Sequence, residues 1–270
     1  TDTEKDLTTS RSNSVDHDRV EDLHYLGNYV RRLPVSMARM MENAHDWEHL
    51  PYVHASSFSS IDLINSGPWG WRAKIGLPGG SDYQLLDLIV DEAKQYWVST
   101  VYFGMGTGTE IHPQATELSA NEIEVDVRFY LPEPPADETV AKFVLDYLTD
   151  QYRVLYDEDL GLMSGRQLAL DQRSLGPART PAIDAVRVGN LTELDPTASH
   201  LVETPAGRFC VRRWNDEWIV HSAVCPHMLG PLNESTLDEH GHVTCPWHGY
   251  RFDVNTGQNL DGKWKGLSTP

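Results

Sequence analysis

Two cysteines and two histidines near the end of the chain carry its densest chemistry. They stand in Cys225-Pro226-His227 and, after seventeen intervening residues, in Cys245-Pro246-Trp247-His248. The pattern is Cys-x-His followed by Cys-x-x-His. Two thiolates and two imidazoles at this spacing suit a [2Fe–2S] cluster, with the Cys pair on one iron and the His pair on the other. Each half offers one Cys and one His from a short stretch whose Pro and Gly residues permit sharp turns. Short Cys/His spacings also hold Zn²⁺, and a Cys225–Cys245 disulfide is a further alternative. A one-residue gap is unusual for a zinc knuckle, and the flanking histidines disfavour a disulfide. The remaining cysteine, Cys210 in Arg208-Phe209-Cys210-Val211-Arg212, reads as a strand residue packed in a core.

A second group of candidate ligands lies early in the chain. Ser36 is a candidate N-cap, and Met37 to His49 is rich in helix formers. In a continuous helix, Asn43, Asp46 and His49 would share a face. Pro51 disfavours helix at Leu50, so the helix is expected to end or kink there, letting His54 turn back toward His49. A chain with twelve histidines shows such pairs by chance, and His49 and His54 alone say little. His17 is expected to be solvated, and His24, His45 and His112 to be structural or solvated.

The late pattern, with Trp247 inside its second loop and Gly249-Tyr250-Arg251-Phe252-Asp253 after it, resembles the Rieske iron–sulfur domain. Respiratory-type relatives usually carry an additional disulfide-bonded Cys in each loop. Those cysteines are absent, which points to the soluble oxygenase and ferredoxin branch. The early run Glu42-Asn43-x-x-Asp46-x-x-His49-x-x-x-x-His54 resembles the mononuclear iron motif of Rieske non-haem oxygenases. That resemblance implies a facial triad on Fe(II), formed by the two histidines and a distant carboxylate near the start of the last helix, with positions open for O₂ and substrate. Asp159 fits that slot by its register with Gln167, and Asp157 is the runner-up. The alternative is an acidic first helical turn favoured by the helix dipole.

The resemblance carries further expectations. Asp46 would hydrogen-bond His49 and bridge to His248 of a neighbouring subunit, in a ring-shaped homotrimer. Asn43 would lie beside the iron. Electrons would come from NAD(P)H through a separate reductase or ferredoxin, since no flavin or nicotinamide motif is present. The reaction would be mono- or dihydroxylation, ring hydroxylation included, or oxidative demethylation of a small organic substrate. Two features depart from the family. The catalytic part precedes the Rieske part, the reverse of the usual order, and His227 is followed by Met228-Leu229-Gly230 where Arg-Gly is common. The alternatives are an electron-transfer or sensor protein with a ligand-binding domain and no oxygen chemistry, or a zinc hydrolase using His49, His54 and Asp159.

The elements that must position these residues read as an α+β chain. Leu23 to Leu33 is extended, and Gln95 to Phe103 is rich in β-branched and aromatic residues. Glu122 to Leu131 alternates as a half-buried strand does. Asp137 to about Arg153 reads as a helix with Val140, Phe143, Val144, Tyr147 and Leu148 on its apolar face. Helix, curved antiparallel sheet, then long helix is the order of the helix-grip (START/Bet v1-like) fold, which the oxygenase catalytic domain resembles. The expected division is a loose arm (1–20), a helix-grip domain (21–176), a linker (177–184) and an all-β Rieske domain (185–270). Trp69, Trp71, Trp97, Tyr102, Phe103, Leu162 and Met163 are candidates for lining a pocket.

The net charge of −18 argues against nucleic acid as a partner. About −15 falls on residues 1–184 and −3 on the remainder. No apolar run approaches a membrane span. Few cysteines and no apolar leader suggest a reducing, cytoplasmic setting.

Overall fold

The computed structural model describes residue 8 and residues 10–174, 187–190, 192–204 and 207–268. The expected linker at 177–184 lies outside them. The chain divides into two compact units, Thr1–Met163 and Ser164–Pro270.

In the first unit, β1 (His24–Leu33) leads to two short helices, α1 (Met37–His45) and α2 (Leu50–Val53). Six strands follow: β2 (Ser60–Gly67), β3 (Gly70–Gly76), β4 (Tyr83–Asp91), β5 (Tyr96–Phe103), β6 (Glu110–Ser119) and β7 (Glu122–Leu131). The long helix α3 (Glu138–Ser174) closes this unit and runs on past its boundary at Met163. The strands form one antiparallel sheet in the order β1-β7-β6-β5-β4-β3-β2. Two helices inserted after the first strand, a meander that returns to it and a long closing helix constitute the helix-grip arrangement. β7 shows the physics of the sheet. Ile123, Val125, Val127 and Phe129 alternate with polar residues, and all four are fully buried. Each such side chain contributes about 1.5–3 kcal/mol through burial.

Three elements differ from expectation. The first is the expected Met37–His49 helix, which stops at His45. Ser36 caps it as foreseen, accepting from Arg39 N, but Asp46 leaves helical geometry. Pro51 does not end a helix. It sits in the first turn of α2, where its fixed φ suits a helix start and its missing N–H goes unneeded. The second is α3, which runs on past Arg153 to Ser174 and shows a rotated face. Val140, Phe143 and Tyr147 are exposed, whereas Leu148, Tyr156, Asp159, Leu162 and Met163 are buried. The inward stripe therefore begins about a turn later than the apolar residues suggest.

The third is the N-terminal stretch, which is bound rather than loose from Arg11 onward. Arg11 Nε donates to Asp87 Oδ2 at 2.5 Å, and its guanidinium lies over Tyr102. Buried Arg72 donates to Asn13 and to the Ser12 carbonyl and stacks on Trp69. His17 meets Asp91 at 3.0 Å and packs on Tyr96. Ion pairs anchor this segment where apolar packing would not. They also engage Trp69 and Tyr102, two of the residues expected to line a pocket, and Tyr102 does line a cleft beside Arg11, Asp87 and Glu110.

In the second unit, β8 (His200–Thr204), β9 (Gly207–Trp214) and β10 (Glu217–Ser222) form a three-stranded antiparallel sheet in the order β10-β9-β8. β11 (His242–Thr244) and β12 (Arg251–Asp253) form a two-stranded ladder. Cys210 is fully buried in β9, the core strand residue its surroundings imply. Arg212, also buried, donates to the carbonyls of Leu232 and Ser235, tying β9 to the segment after the first Cys/His loop. Among the described residues, no helix is long and apolar enough to cross a membrane.

Candidate metal centres

His49 and His54 bracket α2, the one as its N-cap and the other as its C-cap. Four helical residues between them bring their rings to 5.1 Å, nearly perpendicular. Tyr52 N and Val53 N bond back to the His49 carbonyl, while Ser57 N and Phe58 N bond to that of His54. The segment is held down by Trp47 and Leu50, which pack on the buried Trp71, Ala73 and Ile75 of β3. Trp71 Nε1 also donates to the Ala44 carbonyl at 3.0 Å, satisfying an otherwise orphaned group at the end of α1.

Asp159 reaches the same point from the inward face of α3, in mid-helix and not near its start as the family likeness implied. His49 Nε2 and His54 Nε2 are 3.3 Å apart, and both face Asp159 Oδ1, at 3.5 and 3.0 Å. All three side chains are buried. The three donor atoms lie close enough together to hold one metal ion. Asp157 is not part of this group. It is half exposed and pairs with Arg31 at 2.5 Å.

The electrostatics of this point call for a cation. Glu158 Oε2 lies 2.8 Å from His54 Nδ1. A carboxylate only accepts, so Nδ1 carries a hydrogen, and Nε2 is the nitrogen left to serve as a ligand once its own proton is gone. Asp159 Oδ1 lies 3.0 Å from that Nε2, so the contact calls for a proton or a metal ion between or beside the two atoms. In the bare protein His49 answers that need. Burial works against its charged form, but Asp159 and Asp46 outweigh this and raise its pKa to about 10. Burial likewise opposes charge on Asp159, yet the two histidines hold it well below the usual carboxylate range. Two imidazoles and a carboxylate around a buried point that demands positive charge fit a divalent metal.

Asp46 Oδ2 stands 3.4 Å from His49 Nδ1, a long contact on the back of that ring. Asn43 is buried, and its Oδ1 accepts no hydrogen bond from the described residues. His45 faces Glu92 at 3.4 Å, away from the group. His112 is buried in its own network with Tyr96 and Glu110. Glu158 escaped sequence reasoning, although its position beside Asp159 was a signal. Adjacent helical residues point about 100° apart, so one can face each side of the same imidazole.

The four residues of the late pattern come from two loops with one backbone design. In the first, Cys225 N donates to Gly230 O at 2.9 Å and Leu229 N to Cys225 O at 3.1 Å. In the second, Cys245 N donates to Tyr250 O at 2.8 Å and Gly249 N to Cys245 O at 2.9 Å. The fourth residue after each cysteine is left-handed, Leu229 at φ 66° and Gly249 at φ 67°. Backbone N–H groups point at both sulfurs, those of His227 and Met228 at Cys225 and those of Trp247 and His248 at Cys245. Donation from Cys225, aided by His248, draws the Cys245 thiol below its usual range despite burial. All three cysteines are free thiols, so the disulfide alternative is not formed.

The His227 and His248 rings lie 4.5 Å apart, with Tyr250 at 4.9 Å and Trp264 at 4.7 Å from His227. A Cβ at Gly230 would fall 2.7 Å from Cys245 Sγ and 3.2 Å from Trp247. Two buried thiols met by backbone donors, two adjacent imidazoles and a cradle open only to glycine fit a [2Fe–2S] cluster.

The family comparison agrees with the geometry of the two late loops. Residues 184–264 match the Rieske [2Fe-2S] domain. Pheophorbide a oxygenase of Arabidopsis thaliana is 45% identical over 40 residues, which cover 15% of this chain and 7% of that protein. Apoptosis-inducing factor 3 of Homo sapiens is 31% identical over 85 residues, covering 32% of this chain and 14% of that protein. The chain thus matches only a small part of the length of these curated relatives. Among solved structures, Zhui aromatase/cyclase from Streptomyces sp. R1128 is similar with a TM-score of 0.44 and 10% identity, over 54% of this chain and 96% of that one. The quaternary ammonium Rieske monooxygenase CntA is similar with a TM-score of 0.42 and 14% identity, over 57% of this chain and 42% of that one. By its strand order and its loops, the chain is a helix-grip domain followed by a Rieske [2Fe–2S] domain.

Proposed function

We propose that this chain is the terminal component of a Rieske-type oxygenase, in which His49, His54 and Asp159 hold a mononuclear Fe(II). The observation that carries the reading is the meeting of these three buried side chains in a chain that also contains a Rieske domain. When bound, the cluster would supply single electrons and the ferrous ion would supply O₂ activation. Cys225 and Cys245 hold one iron of the cluster, and His227 and His248 the other. Asp46 steadies His49 from behind and Glu158 steadies His54. The substrate is a small apolar or aromatic organic molecule that is hydroxylated or oxidatively demethylated. The electrons come from NAD(P)H through a separate reductase or ferredoxin, and the active form is a homotrimer in the cytoplasm.

A second reading is a Rieske electron carrier or sensor whose helix-grip domain binds a ligand without oxygen chemistry. The match to apoptosis-inducing factor 3 favours it, because that protein, similar over 85 residues, is not named as an oxygenase. Anaerobic metal and sulfide analysis with an absorption spectrum decides between them. About three irons and two sulfides per chain support the oxygenase. Two of each support the carrier, and zinc in a colourless protein would overturn both.

A further inference from the structure

His54 is gripped on both nitrogens by consecutive residues of one helix. Asp159 Oδ1 is 3.0 Å from its Nε2, and Glu158 Oε2 is 2.8 Å from its Nδ1. The two carboxylates differ in setting. Asp159 is buried on the inward face of α3, whereas the Glu158 side chain is 30% exposed. His49 has no equal of this contact, since Asp46 stands behind it at 3.4 Å. The stronger support therefore lies behind His54.

Resting on the proposed iron site, we infer that Glu158 is a positioning residue that sets the charge balance of that site. Its carboxylate locks His54 in the Nδ1–H tautomer, with the Nε2 lone pair aimed at the metal. It also pulls on the Nδ1 hydrogen and makes His54 a stronger donor. With Asp159 as ligand and Asp46 and Glu158 behind the two imidazoles, three carboxylates surround one ion. Three negative charges balance a trivalent ion more fully than a divalent one. Glu158 accordingly lowers the potential of the iron and favours its oxidised state, beyond any effect on binding.

Two variants separate orientation from charge. Glu158→Gln keeps an oxygen that can accept from Nδ1 but removes the charge, and Glu158→Ala removes both. Each is made in the full chain with the cluster loaded. Iron(II) affinity is measured by anaerobic titration, and the Fe(III)/Fe(II) midpoint by redox titration followed by electron paramagnetic resonance. Glu158→Ala is expected to bind iron(II) about 10–100-fold more weakly. Glu158→Gln is expected to retain most of the affinity and to show a higher midpoint at the mononuclear site, with the cluster signal unchanged. If Glu158→Ala fails to fold, the Gln variant alone carries the test.

Wild-type affinity in Glu158→Ala, or an unshifted midpoint in Glu158→Gln, overturns the role of Glu158 and leaves the iron site standing. A wild-type chain that binds no third iron overturns both.

Discussion

At the residue scale, the two cluster loops make sharp demands on individual side chains. Gly230 is needed because any Cβ there would collide with Cys245 Sγ, 2.7 Å away, and with the Trp247 ring. Gly230→Ala is therefore expected to lose the visible absorbance of the cluster, as Cys245→Ala should. Cys210→Ala should keep it, because Cys210 lies in β9 with its sulfur buried in the core. Its cost is roughly 1 kcal/mol of packing. Absorption spectra of the purified variants check all three, and loss of colour in Cys210→Ala would contradict the ligand assignment. These positions were legible because each Cys/His pair lies within a single short loop, where spacing in sequence nearly fixes spacing in space. Leu229 was not legible. Its left-handed backbone costs about 1–2 kcal/mol and matches the conformation of Gly249, yet nothing about a leucine announces it.

At the scale of elements, the sheet was more legible than the helices. The alternation in β7 survives because one face is fully buried. The break in the expected 37–49 helix went unseen because the side chains of that stretch are good helix formers. Tertiary packing decides there: Trp47 and Leu50 dock on β3, and Trp71 takes the Ala44 carbonyl. The face of α3 was misread for a related reason. Val140, Phe143 and Tyr147 look like a core stripe, but the helix meets the sheet later, through Leu148, Tyr152 and Tyr156. Gly161 offers a test of α3. It is exposed in the helix interior, and an added Cβ meets nothing within 4 Å. Gly161→Ala should stabilise the helix by about 1 kcal/mol and raise Tm by about 2–4 °C. Thermal melts by circular dichroism read the change, and an unchanged or lower Tm would mean that this part of α3 does not limit unfolding.

For the whole molecule, the decisive feature is that each candidate ligand set lies within its own unit. His49, His54 and Asp159 lie in Thr1–Met163, while Cys225, His227, Cys245 and His248 lie in Ser164–Pro270. The first set is fixed by α2 and α3, and the second by two hydrogen-bonded loops and their strands. Because each element set has its own core, with Trp71, Ala73 and Ile75 in one and Phe209, Cys210 and Val211 in the other, loss of one metal should not unfold the partner unit. The reversed order of the two parts does not alter this local chemistry, since no ligand is borrowed across the division. Metal content should therefore fall in separate steps. The double variant His49→Ala, His54→Ala is expected to lose about one iron per chain while keeping two irons, two sulfides and the cluster spectrum. Cys245→Ser is expected to do the converse, keeping about one iron and losing the sulfide with the colour. Iron and sulfide analysis beside the spectrum of each variant reads both outcomes. If the histidine variant also bleached the cluster, or if Cys245→Ser emptied both sites, the centres would not be held independently and the two-centre reading would fail.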